Sequence, residues 1–216
     1  IDSELADEAV KTQAMEEMAA IASEIGAEAK IESLLISKGF DDCIAILNGE
    51  SIKLKGGCIH HDHGVLGACE YKDAEERRIR ILKENGFNAV RIAHHPASQI
   101  TLDACDKLGM YVMNETFDGW YTPKTYHDYS RWFYDDWKND IEAMVRSAKN
   151  HPSVIMYSIG NEVTETAERK GTAICREMTD FVHSLDDTRP VTAGVNVLLN
   201  VYTSLGIGVY RDKVNY

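Results

Sequence analysis

The rhythm of apolar and polar positions changes near residue 43. Before that point Met15, Met18, Ala22 and Ile25 recur at three- and four-residue steps, as on one face of a helix. Residues 2–36 are rich in Ala, Glu and Ile, contain no Pro, and have a single Gly at position 26. A break at Gly26 predicts two helices, the second from about Ala27 to Ser37. This N-terminal helical segment, residues 1–43, carries no candidate chemistry and reads as a packing or capping element.

From Cys43 the pattern shortens. Cys43 to Leu47 and Ser51 to Leu54 predict two short strands around Asn48-Gly49, a pair that readily supplies the positive φ angles of a tight hairpin. Strands and helices then alternate. Lys53 to Ile59 predicts a strand, and Asp73 to Asn85 a helix closed by Gly86. Asn88 to Ala93 is the next strand, Ile100 to Leu108 a helix closed by Gly109, and Met110 to Asn114 a strand again. A helix carries Trp137, Ile141, Val145 and Ala148 on one face, and Val154 to Ile159 follows as a strand. Ile174, Met178, Phe181, Val182 and Leu185 stripe the next helix before a fifth strand from Arg189 to Val195.

Such alternation means parallel βα units, which close into a barrel or lie open as a doubly wound sheet. No G-x-G-x-x-G opens a helix, so a dinucleotide-binding sheet has little support. The expected fold is α/β. It is a partial (β/α)8 TIM barrel of about five βα units over residues 44–216, preceded by the N-terminal helical segment.

Composition narrows the partners. With 216 residues and a formal charge of −12, the chain is a poor match for a phosphate backbone, so no nucleic-acid partner is expected. No apolar run approaches the roughly 18–20 residues that span a bilayer, and no membrane partner is expected. The acidic start, Ile1-Asp2-Ser3-Glu4, lacks the features of a secretory signal and favours a cytoplasmic location. The five cysteines are scattered and lack C-x-x-C spacing, which suggests reduced thiols rather than a disulfide framework or zinc site.

Polar clusters end nearly every strand. They are His60-His61-Asp62-His63, then Arg91 with His94-His95, then Asn114-Glu115 with Asp118-Gly119-Trp120, and Gly160-Asn161-Glu162. In a barrel these ends form the catalytic rim. Together they describe a pocket of His, carboxylate, Asn and Trp, the side chains that hold a sugar: polar groups pair with hydroxyls, and an indole covers the ring's apolar face. A metal at His60-His61-Asp62-His63 is the competing reading. Only alternate residues of an extended strand share a side, so His61 with His63, or His60 with Asp62, could converge. The favoured reading has no metal and no cofactor.

The chain resembles the catalytic barrel of glycoside hydrolase family 2, the family of β-galactosidases and β-glucuronidases. The resemblance rests on Leu47-Asn48-Gly49, Ile52-Lys53-Leu54-Lys55-Gly56-Gly57 and His60-His61-Asp62, then Gly86 to Ile92 with His94-His95-Pro96. It continues through Leu102-Asp103 to Gly109-Met110-Tyr111-Val112, Asn150-His151-Pro152-Ser153-Val154 and Ser158-Ile159-Gly160-Asn161-Glu162. It implies that Glu162 is the acid/base of a retaining mechanism, with a pKa raised by a neighbouring carboxylate, and that Asn161 meets the sugar 2-hydroxyl. His60, Asp62, His94, His95 and Asp118 are the implied substrate ligands, Trp120 a pocket wall, and Arg91 the group that orients the carboxylates.

The chain departs from the family pattern at both ends. Helices stand where β-sandwich domains usually precede the barrel. A retaining enzyme also needs a second carboxylate about 5–5.5 Å from the first, and Val201 to Tyr216 contains no Glu. Residues 51 to 216 number 166, against about 250 for a typical barrel. The expectation is therefore that the nucleophile is not among these residues, as in a fragment or in a half-barrel completed by a copy of itself or a complementing chain. The expected function is a retaining β-glycosidase, foremost a β-galactosidase, because no Arg or Lys beyond Arg91 stands in the rim clusters. A β-glucuronidase and a non-catalytic carbohydrate-binding or assembly subunit are the alternatives.

Overall fold

A computed structural model describes residues 44–47 and 50–206; the expected N-terminal helices lie outside them. Strands β1 (Ile44–Leu47) and β2 (Glu50–Lys53) pair antiparallel, as the Asn-Gly spacing requires. This hairpin belongs to one compact unit, which ends at Lys53; a second begins at Leu54.

The second unit alternates β3 (Gly56–His60), α1 (Lys72–Glu84), β4 (Ala89–Ala93), α2 (Gln99–Leu108), β5 (Tyr111–Glu115), α3 (Phe133–Ala148), β6 (Val154–Ser158), α4 (Arg169–Leu185), β7 (Val191–Thr192) and α5 (Val197–Ser204). All neighbouring strands are parallel, in the order β3-β4-β5-β6-β7. A doubly wound sheet reverses its strand order at a switch point. This sheet never reverses, so the fold is α/β with five consecutive staves of a TIM-barrel wall. Among the described residues, no helix is long and apolar enough to cross a membrane.

The helices cover one side of the sheet with the expected stripes. Phe133, Trp137, Ile141, Met144, Val145 and Ala148 of α3 are buried, as are Met178 and Val182 of α4. They form one core cluster with the outward row of the strands, Val90, Ile92, Val112 and Tyr157. Local signals set the helix ends. Ser98 accepts from the Thr101 amide to cap α2, and Gly109 closes it in the left-handed conformation with φ +67°. Two stretches differ from expectation: β7 is only Val191–Thr192, and α5 forms where no element was expected. The polar residues of α5, Asn200, Thr203 and Ser204, share one side at i, i+3 and i+4, while Val197, Leu198 and Val201 are exposed. Its start is fixed by Asn196, whose side chain accepts from the Leu199 amide.

Candidate active site

The inner row of the sheet holds the chemistry. Arg91 of β4 stands opposite Met113 of β5, and Glu115 lies two residues beyond Met113 on the same side. A register irregularity between β5 and β6 does the rest. Val112 pairs with Val154 but Met113 pairs with Met156, so the extra residue on β6 brings Ser158, not Tyr157, opposite Glu115.

Glu115 is 0% exposed. One oxygen accepts from Arg91 Nε (2.9 Å), Arg91 Nη2 (2.6 Å) and Ser158 Oγ (2.6 Å), and the other meets His94 Nδ1 at 2.7 Å. A buried carboxylate persists only when paired and hydrogen-bonded in this way. Burial alone would lower the Arg91 guanidinium, but the Glu115 charge outweighs it and holds Arg91 above its ordinary value. Sequence reasoning placed Glu115 among the rim clusters without giving it a role. The signal was available in the two-residue step from the position facing Arg91.

Arg91 Nη2 also donates to Asn161 Oδ1 at 2.8 Å. With its oxygen on a cation, the Asn161 amide turns its nitrogen to Asp118 Oδ1 at 3.0 Å. Lys124 Nζ donates to the same Asp118 oxygen (2.9 Å), to the Asp118 carbonyl (2.6 Å) and to the Asn161 carbonyl (3.0 Å). Burial would push the Asp118 carboxyl up, but these bonds from Lys124 and Asn161 leave it below the usual carboxylate range. One oxygen of the Asp118 carboxylate is thus committed to the protein, while the side chain stays 45% exposed. Lys124 was missed because it lies outside the strand-end clusters and reaches the site by folding back from its loop.

Glu162 lies 47% exposed at the end of this network, with its Oε2 3.8 Å from Lys124 Nζ. Its φ is +48°, in the left-handed region, and it is the only non-glycine residue there among the described residues. Such a conformation costs on the order of 1–3 kcal/mol and persists where the surroundings over-determine it. Here the Trp120 indole donates to the Ile159 carbonyl (2.7 Å), the Asn161 amide to Phe117 (3.0 Å), and the Val163 amide to Gly194 (3.1 Å). Gly160 is required at the turn, because a Cβ there would lie 2.6 Å from Trp120 Nε1.

The expected site residues therefore divide. Arg91, His94, Asp118, Asn161 and Glu162 form one connected group, and the His60 ring stands edge-on to His94 at 5.0 Å. His95 and Asp118 line two adjoining clefts of about 270 and 440 Å³. Desolvation, reinforced by His61, lowers the His95 pKa and favours a neutral ring. Two expectations need correction. Trp120 borders the smaller cleft but is 0% exposed, so its indole supports the Glu162 loop and cannot cover a sugar face. Asp62 is 77% exposed and lies 4.0 Å from Arg78 of α1, on the helix side and outside the connected group.

The metal alternative at residues 60–63 lacks convergence. His61 pairs with Glu70, His63 with Glu75 of α1, and Asp62 with Arg78, so these side chains diverge to separate partners. One group elsewhere, Asp103, Asp106 and His151, has ligand-like spacing. It sits at the opposite ends of the strands, and both His151 nitrogens are already bonded, to Asp106 and Gln99.

A buried Arg–carboxylate pair, an Asn and an exposed, strained Glu thus meet at consecutive strand ends of a barrel wall. Residues 40–212 match the family model described as glycosyl hydrolases family 2, TIM barrel domain, and the chain belongs to this family. Residues 1–54 match a model described as SpoIIIAH-like protein. The chain is similar to the β-galactosidase BoGH2A of Bacteroides ovatus, with 38% identity over 76% of this chain and 22% of that protein. It is also similar to a putative β-glucuronidase of Formosa agariphila, 36% identical over 68% of this chain and 14% of that one. A solved glycosyl hydrolase family 2 member from Bacteroides cellulosilyticus superposes with a TM-score of 0.69 at 48% identity, covering 78% of this chain and 22% of that one. The chain spans 14–22% of the length of these relatives.

Proposed function

We propose that this chain supplies the acid/base half of a retaining β-glycosidase site acting on a neutral sugar, foremost a β-galactoside. Glu162 protonates the glycosidic oxygen and later activates water. Asn161 offers its second amide proton to the 2-hydroxyl, since the first is held by Asp118. Asp118, His94, His95 and His60 bind hydroxyls, and Arg91 with Glu115 fixes the frame. The observation that carries the reading is the unbroken hydrogen-bond path from Glu115 through Arg91 and Asn161 to Asp118 and Lys124, which ends beside the strained Glu162.

A neutral sugar is favoured because both cations at the site face inward, Arg91 to Glu115 and Asn161, and Lys124 to Asp118 and Asn161. A uronate carboxylate would find neither presented to it. The second carboxylate of the mechanism would stand about 5–5.5 Å from Glu162. We assign it to a barrel strand beyond the five described here, in the same polypeptide or in a complementing chain.

The test is hydrolysis of aryl β-galactoside and aryl β-glucuronide, with sugar binding measured alongside, using the chain and its Glu162→Gln variant. Galactoside turnover abolished by the substitution supports the reading, as does galactose binding without turnover, which places the nucleophile elsewhere. Preference for the glucuronide would move the assignment to uronic acids. A folded chain that neither binds nor cleaves overturns it.

A further inference from the structure

We propose that Lys124 is a positioning residue: a buried ammonium that ties the loop after β5 to the loop after β6, and through them sets Asp118 and Glu162. The inference rests on the sugar-site reading and extends it to a residue outside every strand-end cluster.

An ammonium carries three protons. Those of Lys124 meet the Asp118 carbonyl (2.6 Å), Asp118 Oδ1 (2.9 Å) and the Asn161 carbonyl (3.0 Å), the first two on one loop and the third on the other. The side chain is only 13% exposed, and lysines are rarely so covered unless paired. The loop is built to deliver it. The Lys124 and Thr125 amides both donate to the Asp128 carboxylate, which also accepts from the Ser130 amide, and this turns the chain back toward the site. Gly119 leaves room for the returning stem, since a Cβ there would lie 3.3 Å from Lys124 Cε.

The consequence for the site is geometric. Asp118 keeps one carboxylate oxygen for a ligand because the other is pinned by Lys124 and Asn161. The Asn161 carbonyl, bonded to Lys124, immediately precedes the strained Glu162. The ammonium 3.8 Å from Glu162 Oε2 further biases where that carboxylate points. Loosening Lys124 therefore misplaces the hydroxyl ligand and the acid/base together.

The 216-residue chain labelled with ¹⁵N-lysine tests this directly. The Lys124 ammonium signal persists at neutral pH, unlike those of Lys107 and Lys138, whose side chains are 59% and 57% exposed. Exchange as fast as theirs would overturn the proposal. Galactose affinity falls by about tenfold or more in Lys124→Met, the loss of one or two charge-assisted hydrogen bonds. Lys124→Cys, made with the native cysteines replaced by Ser because Cys58 and Cys69 are exposed, behaves likewise, and aminoethylation of that thiol, which rebuilds the ammonium at nearly the same length, restores binding. A Lys124→Met chain that melts lower yet binds galactose as tightly as wild type would reduce Lys124 to scaffold and overturn the positioning role. If wild type binds no sugar while its Lys124 ammonium is protected, the sugar reading fails instead. The tether is then decided by the Glu162 backbone amide in Lys124→Met: faster exchange upholds it, and unchanged exchange overturns it.

Discussion

Removing the Glu115 carboxylate should unfold much of what holds the site. In Glu115→Ala the Arg91 guanidinium, 19% exposed, loses both of its carboxylate bonds, and Ser158 and His94 each lose a partner. Breaking a buried ion pair from one side costs about 3–5 kcal/mol. Water reaches Arg91, so we take the lower end, about 3 kcal/mol, and add about 1 kcal/mol for the Ser158 hydroxyl, left with only the Gly160 carbonyl at 3.4 Å. The total, about 4 kcal/mol, is a large share of the roughly 5–15 kcal/mol that stabilises a domain. Replacing both partners is milder. Arg91→Met with Glu115→Leu leaves no unpaired charge and should lie within about 2 kcal/mol of wild type. The assay is urea unfolding followed by the buried Trp120 and Trp137. A double-mutant cycle with Arg91→Met and Glu115→Leu as the single variants should show coupling of at least about 2 kcal/mol. Additive losses, or a Glu115→Ala cost under about 1 kcal/mol, would refute the claim that this pair is a buried, interdependent frame.

Other outcomes follow from single positions. Burial would raise the Asp186 carboxyl, but bonds from Thr188, Tyr157 and Arg189 bring it down to about 2. Its contribution, about 2 kcal/mol at 1.36 kcal/mol per pH unit, is complete above the unfolded value near 4 and lost as pH falls through about 2. Asp186→Asn should therefore flatten the acid limb of a stability–pH curve between those values. Gly160→Ala sets a Cβ 2.6 Å from Trp120 Nε1 and 2.7 Å from Val163 Cγ1 and should cost about 1–3 kcal/mol, read as a lower Tm with altered tryptophan emission. Glu162→Gly relieves the φ of +48° and should raise stability by about 1 kcal/mol while removing the acid/base group; a lower Tm would mean the backbone there is unstrained.

Much of this was legible in the sequence because barrels are built from local signals. The stripe from Trp137 to Ala148 and the glycine at 109 marked helices that the structure contains, and the strand-end polar residues lie on one rim because parallel strands all end there. Side-chain direction was harder to read. Trp120 and Asp118 are two residues apart, yet the indole is drawn under the Glu162 loop by the Ile159 carbonyl while Asp118 stays at the surface of the cleft. Asp62 lies near Arg78 of the helix that follows β3, a placement the strand-end pattern does not encode. Lys124 was invisible for a related reason: its Nζ sits at the site only because Asp128 folds the intervening turn. The strand-end clusters contain no lysine, as expected, yet the fold brings Lys124 beside them, where its charge is spent within the protein.

The central claim, that Glu162 and its neighbours form a sugar site, is tested most directly at the Asn161 side-chain amide. One of its two protons is held by Asp118, and the other is the proposed donor to the 2-hydroxyl. Titrating galactose into the ¹⁵N-labelled chain should shift the Asn161 side-chain pair and the Glu162 backbone amide together, and Asp118→Ala should abolish both shifts. Saturating galactose that leaves both signals in place, in a chain whose remaining spectrum is that of the folded protein, would contradict it.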